Sequence, residues 1–283
     1  MDKASLMKGK GMSVKIKDTV HFKWYKNLIT IIVLLLLFQF SRVITNADFK
    51  QVFTNSDQIV VFLSRLMHPD FAYFPKLISP LIKTLQMSLL GTFIGVLVAV
   101  PVSFLATPVV TGNKYISVVF RFILGIIRTI PTLLLAALLV AIFGIGEATG
   151  VMTIAIFTFG MVSQLMFQAI ETIDFEPIEA QLAVGATRTQ MAVWAIAPQV
   201  FSQFASYSFY AFEVNVRAST VLGYVGAGGI GVILNSSLAL MKYERVSIII
   251  LTILVTVAIV DKISEKVRRT LAVSYTHLRA HET

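Results

Sequence analysis

Apolar stretches of up to about 27 residues recur along this chain, at residues 24–40, 82–106, 117–143, 150–170, 200–222 and 246–260. Runs of about twenty apolar residues are long enough to cross roughly 30 Å of hydrocarbon. Lipid offers no partner to a free backbone amide, so spanning segments become helices or close into a barrel. The short alternating strands of a barrel are not present in the pattern. The sequence therefore predicts an all-α fold, a multi-pass membrane helical bundle of about six transmembrane helices. Composition agrees: 56% of residues are hydrophobic and only 14% charged, where a soluble domain carries about a quarter charged.

Charge sets the orientation. Lys3, Lys8, Lys10, Lys15, Lys17, Lys23 and Lys26 crowd the start, and Lys262, Lys266, Arg268 and Arg269 follow the last apolar run. Basic residues flanking spans stay on the cytoplasmic side, so both termini are expected there, which requires an even number of spans. The net charge of +9 is accounted for by these flanks, which lie against anionic lipid, and calls for no nucleic acid. Residues 1–23 read as a basic cytoplasmic tail, 24–41 as the first anchor, 42–80 as an external segment and 81–272 as the transmembrane core. A secretory signal peptide is the rival for residues 1–47, but Ser41-Arg42-Val43-Ile44 is a poor small-residue cleavage site, which favours an uncleaved anchor.

One break in the core, residues 171–198, is long and polar. It carries Glu171, Asp174, Glu176, Pro177, Glu179, Gly185 and Arg188 and ends at Pro198. By the topology above it faces the cytoplasm. Ala and Leu favour a short helix here, Gly185 permits a turn or a close approach, and Pro198 suits the start of the next span. Such a segment is either a docking surface for a soluble partner or an ordinary helix-turn-helix between spans.

Several chemistries are excluded or weakened. There is no cysteine, hence no disulfide and no thiolate site. The histidines, His21, His68, His277 and His281, are scattered and form no zinc-binding pair. No Walker-type phosphate loop occurs, so ATP hydrolysis would have to come from another chain. Gly226-Ala227-Gly228-Gly229-Ile230-Gly231 fits the dinucleotide fingerprint literally, but that motif needs a preceding strand and a βαβ unit. Gly226, Gly228, Gly229 and Gly231 are read instead as a structural turn between the last two spans. Gly91 and Gly95 form a small-residue pair that lets another helix approach. Pro101 and Pro131 are expected to kink their helices. Phe71, Tyr73 and Phe74 suggest an aromatic element at the interface.

The polar break resembles the EAA loop of the membrane subunits of ABC importers: Glu179, Ala180, Gly185 and Pro198 stand at the matching places, with Gln181 where that family has a second alanine. The run from Ser206 to Gly231, with Glu213-Val214-Asn215-Val216-Arg217 and Val225-Gly226-Ala227-Gly228-Gly229-Ile230-Gly231, resembles the phosphonate-type permeases of that class. The likeness covers about residues 82–271. It implies a type I ABC importer permease-like fold in a bacterial inner membrane. It also implies a permease homodimer, cytoplasmic ABC ATPase subunits and an extracytoplasmic solute-binding protein. The implied solute is a phosphonate or a related phosphorus oxyanion such as phosphite or phosphate. No cofactor is expected on this chain; ATP and Mg would sit on the partner ATPase. An ABC permease for an unrelated solute is the alternative, followed by an ion-coupled secondary transporter or a membrane enzyme. The last two would need deep carboxylates or a clustered catalytic site.

Charged groups inside spans face cavities or partners, which makes Arg128, Glu213, Asn215 and Arg217 the substrate-pathway candidates. Counting from Pro198, Arg217 is expected about 28 Å up, near the outer mouth, and Arg128 about 16 Å into its span, near the midplane. The planar fork of arginine suits an oxyanion. Equally, Glu213 and Arg217 at i and i+4 could simply neutralise each other, and Arg128 could satisfy backbone freed at Pro131. Finally, residues 273–283, Val-Ser-Tyr-Thr-His-Leu-Arg-Ala-His-Glu-Thr, resemble a translated sequencing adapter and are set aside.

Overall fold

The computed structural model describes residues 24–45, 54 and 56–280, without the side chains of residue 56 and of residues from 271 onward. The basic tail expected at 1–23, residues 46–53 and 55 of the expected external segment, and residues 281–283 lie outside the described residues. All regular structure among the described residues is helical, as the apolar runs require. The chain divides after Val61 into two compact units. In the first, α1 (Trp24–Ile44) is one continuous helix of 21 residues with no acidic side chain in its first turn, long enough to span. α2 (Ser56–Leu66) follows.

The second unit begins at Phe62, within α2, and continues through a 3-10 turn, Phe71–Tyr73, that leads into α3 (Phe74–Leu105). Next come α4 (Pro108–Thr111), α5 (Lys114–Thr129), α6 (Thr132–Phe143) and α7 (Glu147–Ile170). A connection holding α8 (Glu176–Ala183) and α9 (Arg188–Met191) leads through a π-helical turn, Ala192–Ile196, into α10 (Ala197–Leu222). α11 (Ile230–Ala239) and α12 (Tyr243–Ala280) complete the order.

The centre is the α3–α7 pair. A Cβ placed on Gly91 would lie 2.7 Å from Ile154 Cβ, and one on Gly95 2.6 Å from the Ala155 carbonyl. Both glycines are therefore needed for the backbones to come this close, as small residues do at membrane helix contacts. Gly150 of α7 meets Met87 of α3 and the Ala227 carbonyl in the same way. A buried apolar cluster of Ala99, Val162, Met166, Ile170, Ile178, Met191, Ile196 and Val200 joins the far end of this pair to the α8–α9 connection.

Several boundaries differ from the sequence expectation. Residues 117–143 form not one kinked span but two helices meeting at 87°. Ile130 is extended (ψ 119°) because it precedes Pro131, itself extended at ψ 136°, and a pre-proline residue is pushed out of the helical region. Pro101, by contrast, lies inside α3 without ending it, as does Pro80. Residues 74–80, assigned to the external segment, are the first turns of α3. Helical structure before the fifth span starts at Arg188, so Pro198 sits in the first turn of α10 behind the π-helical turn and does not open the element. The glycine turn leads into a further helix, α11, bent by 47° from the Arg188–Val225 path. α12 runs well past residue 260 and so carries Asp261, a second deep carboxylate beside Glu213. Among the described residues four single helices are long and apolar enough to cross a membrane, and the count reaches the expected six if each of the two bent pairs is one span, by length and composition.

The aromatic element of residues 71–74 is tied to the start of α12. Asp70 N–H donates to the Glu244 carbonyl at 3.0 Å, Asp70 pairs with Arg245 at 3.8 Å, and the Arg245 and Lys76 cations stand 4.7 and 5.6 Å from the Tyr73 ring centre.

The α3–α7 contact can be tested directly. Gly95→Val should destabilise the solubilised protein by about 1–3 kcal/mol, the usual cost of forcing volume into a closed contact. Gly125→Ala on α5, where nothing lies within 4 Å, should leave it unchanged. Thermal unfolding in detergent, followed by loss of the monodisperse peak, measures both.

Candidate functional site

The α7–α10 connection is built to hold one helix outward. α8 starts at Glu176, three residues before the motif acid, with Pro177 in its first turn and Glu176 and Glu179 near its N-terminus, where carboxylates favour the helix dipole. Its end is a Schellman motif: Gly185 N–H donates to Leu182 O at 3.0 Å and Ala186 N–H to Gln181 O at 3.0 Å, with Gly185 at φ +76°. That conformation explains the glycine; among the described residues of this chain nothing lies within 4 Å of a Cβ there. α9 opens with a capping box in which Gln190 Oε1 accepts from Thr187 N–H at 2.8 Å and Thr187 Oγ1 from Gln190 N–H. Gln199 of α10 closes the connection, donating to Ala195 O at 2.9 Å and accepting from Asp174 N–H at 3.1 Å.

Only Ile178 of α8 is buried. Glu179 and Ala180 face outward, with Leu182 and an 80% exposed Val184 alongside. The connection thus presents acids at one end of a short helix and bare aliphatic side chains at the other.

The charged candidates separate into tied and untied groups. Arg217 Nη2 donates to Glu213 Oε1 at 2.5 Å and to Asp261 Oδ2 at 2.9 Å, and Arg268 Nη2 donates to Glu213 Oε2 at 3.0 Å. Two acids and two bases on α10 and α12 form a closed network. The Glu213 side chain is only 11% exposed, against 47% for Arg217. Asp261 stands about 27 Å along α12 from Tyr243, and Ser219, just above Arg217, meets Ser88 of α3 at 3.1 Å. Arg217 therefore lies level with the middle of α3, its side chain half exposed. The local i, i+4 pattern shows Glu213–Arg217 but hides Asp261 and Arg268, whose pairing depends on the register between helices. The one available signal was an Asp directly after an apolar run.

Asn215 is fully buried and sits inside the helix packing. Its Nδ2 donates to Thr92 Oγ1 at 2.8 Å and Thr158 Oγ1 at 2.7 Å, joining α10 to α3 and α7. Arg128 is different. Its backbone lies beside Gly160 at mid-height of α7, its side chain is exposed, and among the described residues it makes no ion pair or hydrogen bond. It does not serve the backbone around Pro131.

The glycine run is a tightly packed turn. Gly226, Gly228 and Gly229 take φ values of +82°, +90° and +75°. A Cβ on Gly231 would fall 2.0 Å from the Thr220 carbonyl, and Ile230 N–H is claimed by Thr84 Oγ1 at 2.8 Å. The amides of Gly226, Ala227 and Ile230 donate within the protein, and a helix, not a strand, precedes the run.

A membrane bundle that holds one short helix outward and keeps its interior charges in register is a transporter membrane subunit. Comparison agrees: the chain belongs to the binding-protein-dependent transport system inner membrane component family, which matches residues 91–272. It is 40% identical over 211 residues to the phosphite transport system permease protein PtxC of Stutzerimonas stutzeri, covering 75% of this chain and 77% of that one. It is 34% identical over 216 residues to the phosphate-import permease protein PhnE of Mycolicibacterium smegmatis, covering 76% of this chain but 41% of that longer one. The fold is similar to a chain of the MetNI methionine ABC transporter in inward-facing conformations, with a TM-score of 0.63 at 20% identity over 71% of this chain and 99% of that one. It is thus an ABC permease subunit, a multi-pass membrane protein resembling the phosphonate type.

Glu213 should be the keystone of the charge network. Glu213→Gln, which leaves Arg268 without its partner, should cost a few kcal/mol, as breaking a buried pair does. Glu213→Gln with Arg268→Gln should recover much of that loss, because Arg217–Asp261 survives as a neutral pair. Arg269→Gln, at the exposed pair with Glu265, should cost under about 1 kcal/mol. Melting temperatures of the purified variants decide.

Proposed function

We propose that this chain is the membrane-spanning subunit of an ATP-driven importer for a phosphorus oxyanion: phosphonate, phosphite or phosphate. The observation that carries the reading is the likeness to the phosphite permease over three quarters of both chains; an outward-facing α8 with Glu179 and Ala180, followed by Gly185 two residues past its end, supports it, in the segment that resembles the ABC docking loop. On this reading two copies form a homodimer in the bacterial inner membrane, with both termini in the cytoplasm. Cytoplasmic ABC ATPases seat against α8, and an extracytoplasmic solute-binding protein delivers the anion. ATP and Mg belong to the ATPase, and this chain binds no cofactor of its own.

Within the bundle, Arg128 is the pathway residue this reading favours. A cation at mid-height needs water or an anion beside it, and its five donors fit a tetrahedral oxyanion. Arg217 already spends Nη2 on two carboxylates, and its first role is to join α10 to α12.

The decisive experiment is uptake into proteoliposomes with and without the ATPase and binding protein, with phosphonate, phosphite and phosphate competing. Uptake should require ATP and all three components; uptake driven by an ion gradient alone would overturn the reading. In that assay Arg128→Gln should lose at least about tenfold in rate and Arg128→Lys less, because a point charge keeps attraction but not the fork. Equal rates for both variants and the parent would remove Arg128 from the path.

Docking is tested at Gly185. A side chain at φ +76° costs about 1–2 kcal/mol unless it is Asn or Asp, so coupled transport should fall in the order Gly, Asn, Ala, Val. Wild-type transport by Gly185→Val at equal membrane abundance would remove α8 from the coupling path.

A further inference from the structure

Two arginine contacts at the docking-loop end of the bundle are unused by anything above. Arg121, on α5, donates through Nε to the Ala106 carbonyl at 2.8 Å, and Nη2 meets the Glu171 carboxylate. Ala106 is the C-cap of α3 and Glu171 that of α7. The guanidinium carbon also stands 4.8 Å from the Phe167 ring centre. One side chain thus ties the middle of α5 to the C-terminal ends of α3 and α7, where helix carbonyls concentrate partial negative charge.

The second contact joins two loops. Arg188, the first residue of α9, lies over Gly112, which caps α4 with φ +60° and donates to Pro108 O at 2.7 Å. A Cβ on Gly112 would fall 0.8 Å from Arg188 Nη1 and 1.7 Å from its guanidinium carbon. The far end of the exposed Arg188 side chain lies where a larger residue would go and must swing aside to admit one, while Val109 and Val110 of α4 pack against the buried cluster that holds Met191 of α9. α4 in turn is short and fastened at both sides: Thr107 Oγ1 donates to Ser103 O at 2.9 Å, and Thr111 and Ser117 hydroxyls meet at 2.9 Å. A displacement of α9 therefore bears on a connection with little slack, whose two ends are α3 and α5.

We propose that Arg188 seated on Gly112 is the joint through which movement of the α8–α9 docking loop enters the bundle, with Arg121 distributing it to α3, α5 and α7. Both arginines are positioning residues. The proposal rests on the reading that α8–α9 seats on an ATPase, and it adds the route by which that seat moves the spans.

The test uses the full permease with its ATPase and binding protein in proteoliposomes, reading three quantities: ATPase co-purified, ATP hydrolysed, and oxyanion imported per ATP. Gly112→Ala should retain the ATPase at parental stoichiometry while import per ATP falls at least about fivefold, since the methyl displaces Arg188 (compare the overlap of atoms closer than any van der Waals contact). Arg188→Lys, which leaves Gly112 untouched, should lower the same ratio less. Part of the Gly112→Ala effect comes from its positive φ, and that part is common to all backgrounds. In an Arg188→Ala background the further loss from Gly112→Ala should therefore be smaller than in the parent, a non-additivity that reads the contact itself. Parental import per ATP in Gly112→Ala, or strictly additive losses, would overturn the joint. Loss of the ATPase itself in Gly112→Ala would also overturn it, by making the α4 connection part of the seat. Gly185→Val, run alongside, reports on the underlying reading: if it binds ATPase and transports normally, docking by α8 fails and the joint fails with it. If Gly185→Val uncouples while Gly112→Ala does not, only the joint fails.

Discussion

The close approach of α3 and α7 decides where everything else can go. In lipid there is no hydrophobic drive to bring helices together, so van der Waals fit and interhelical hydrogen bonds must do it. Gly91, Gly95 and Gly150 supply the fit by removing side chains where backbones touch. Once the two helices are this near, the hydroxyls of Thr92 on one and Thr158 on the other fall within reach of a single amide, Asn215, on α10. Ser88 reaches Ser219 from the same face. The glycine contact thus creates the polar seat for α10, and α10 sets the register of α12 through the Glu213–Arg217–Asp261–Arg268 network.

What was legible in the sequence follows from which forces are local. Span existence was legible because bilayer thickness imposes a length and a composition on each segment. The glycine turn could be told from a nucleotide loop because the element before it was too apolar for a strand of a soluble sheet. α11 was not legible: it is ten residues long, holds Asn235, Ser236 and Ser237, and follows glycines that read as the end of a helix. The overrun of α12 was hidden because Lys262, Glu265 and Lys266 end an apolar run while remaining good helix residues. The two prolines show the limit of single-residue rules. Pro131 breaks its helix because Ile130 before it is also extended, and Pro101 does not because the chain on both sides stays helical.

Of the candidate site, the cytoplasmic motif was readable since helix caps are short-range chemistry. Gly185, Thr187 and Gln190 act within a few residues of one another. The partners Asp261, Arg268, Gly112 and Arg121 were not, because each acts across helices whose register no local pattern encodes. Arg188 was noticed as a charge in the break, yet nothing in its neighbours pointed to a glycine seventy-six positions earlier.

The division between tied and untied arginines bears on how such a bundle could move an anion. A guanidinium locked between two carboxylates, as Arg217 is, belongs to a set that is neutral only with Arg268 included, and a passing oxyanion would meet the acids as well as the base. Releasing Arg217 to bind would strand Asp261 and leave Glu213 to Arg268 alone, a cost that grows as water is excluded. Arg128 carries no such debt. It sits one residue before the end of α5, at the 87° break whose far side is the first turn of α6, so the backbone amides of that turn and the arginine lie at neighbouring positions of the chain. On our reading of the function, attraction for the solute therefore belongs to the α5–α6 break, while the α10–α12 network keeps the rest of the bundle electrically quiet around it.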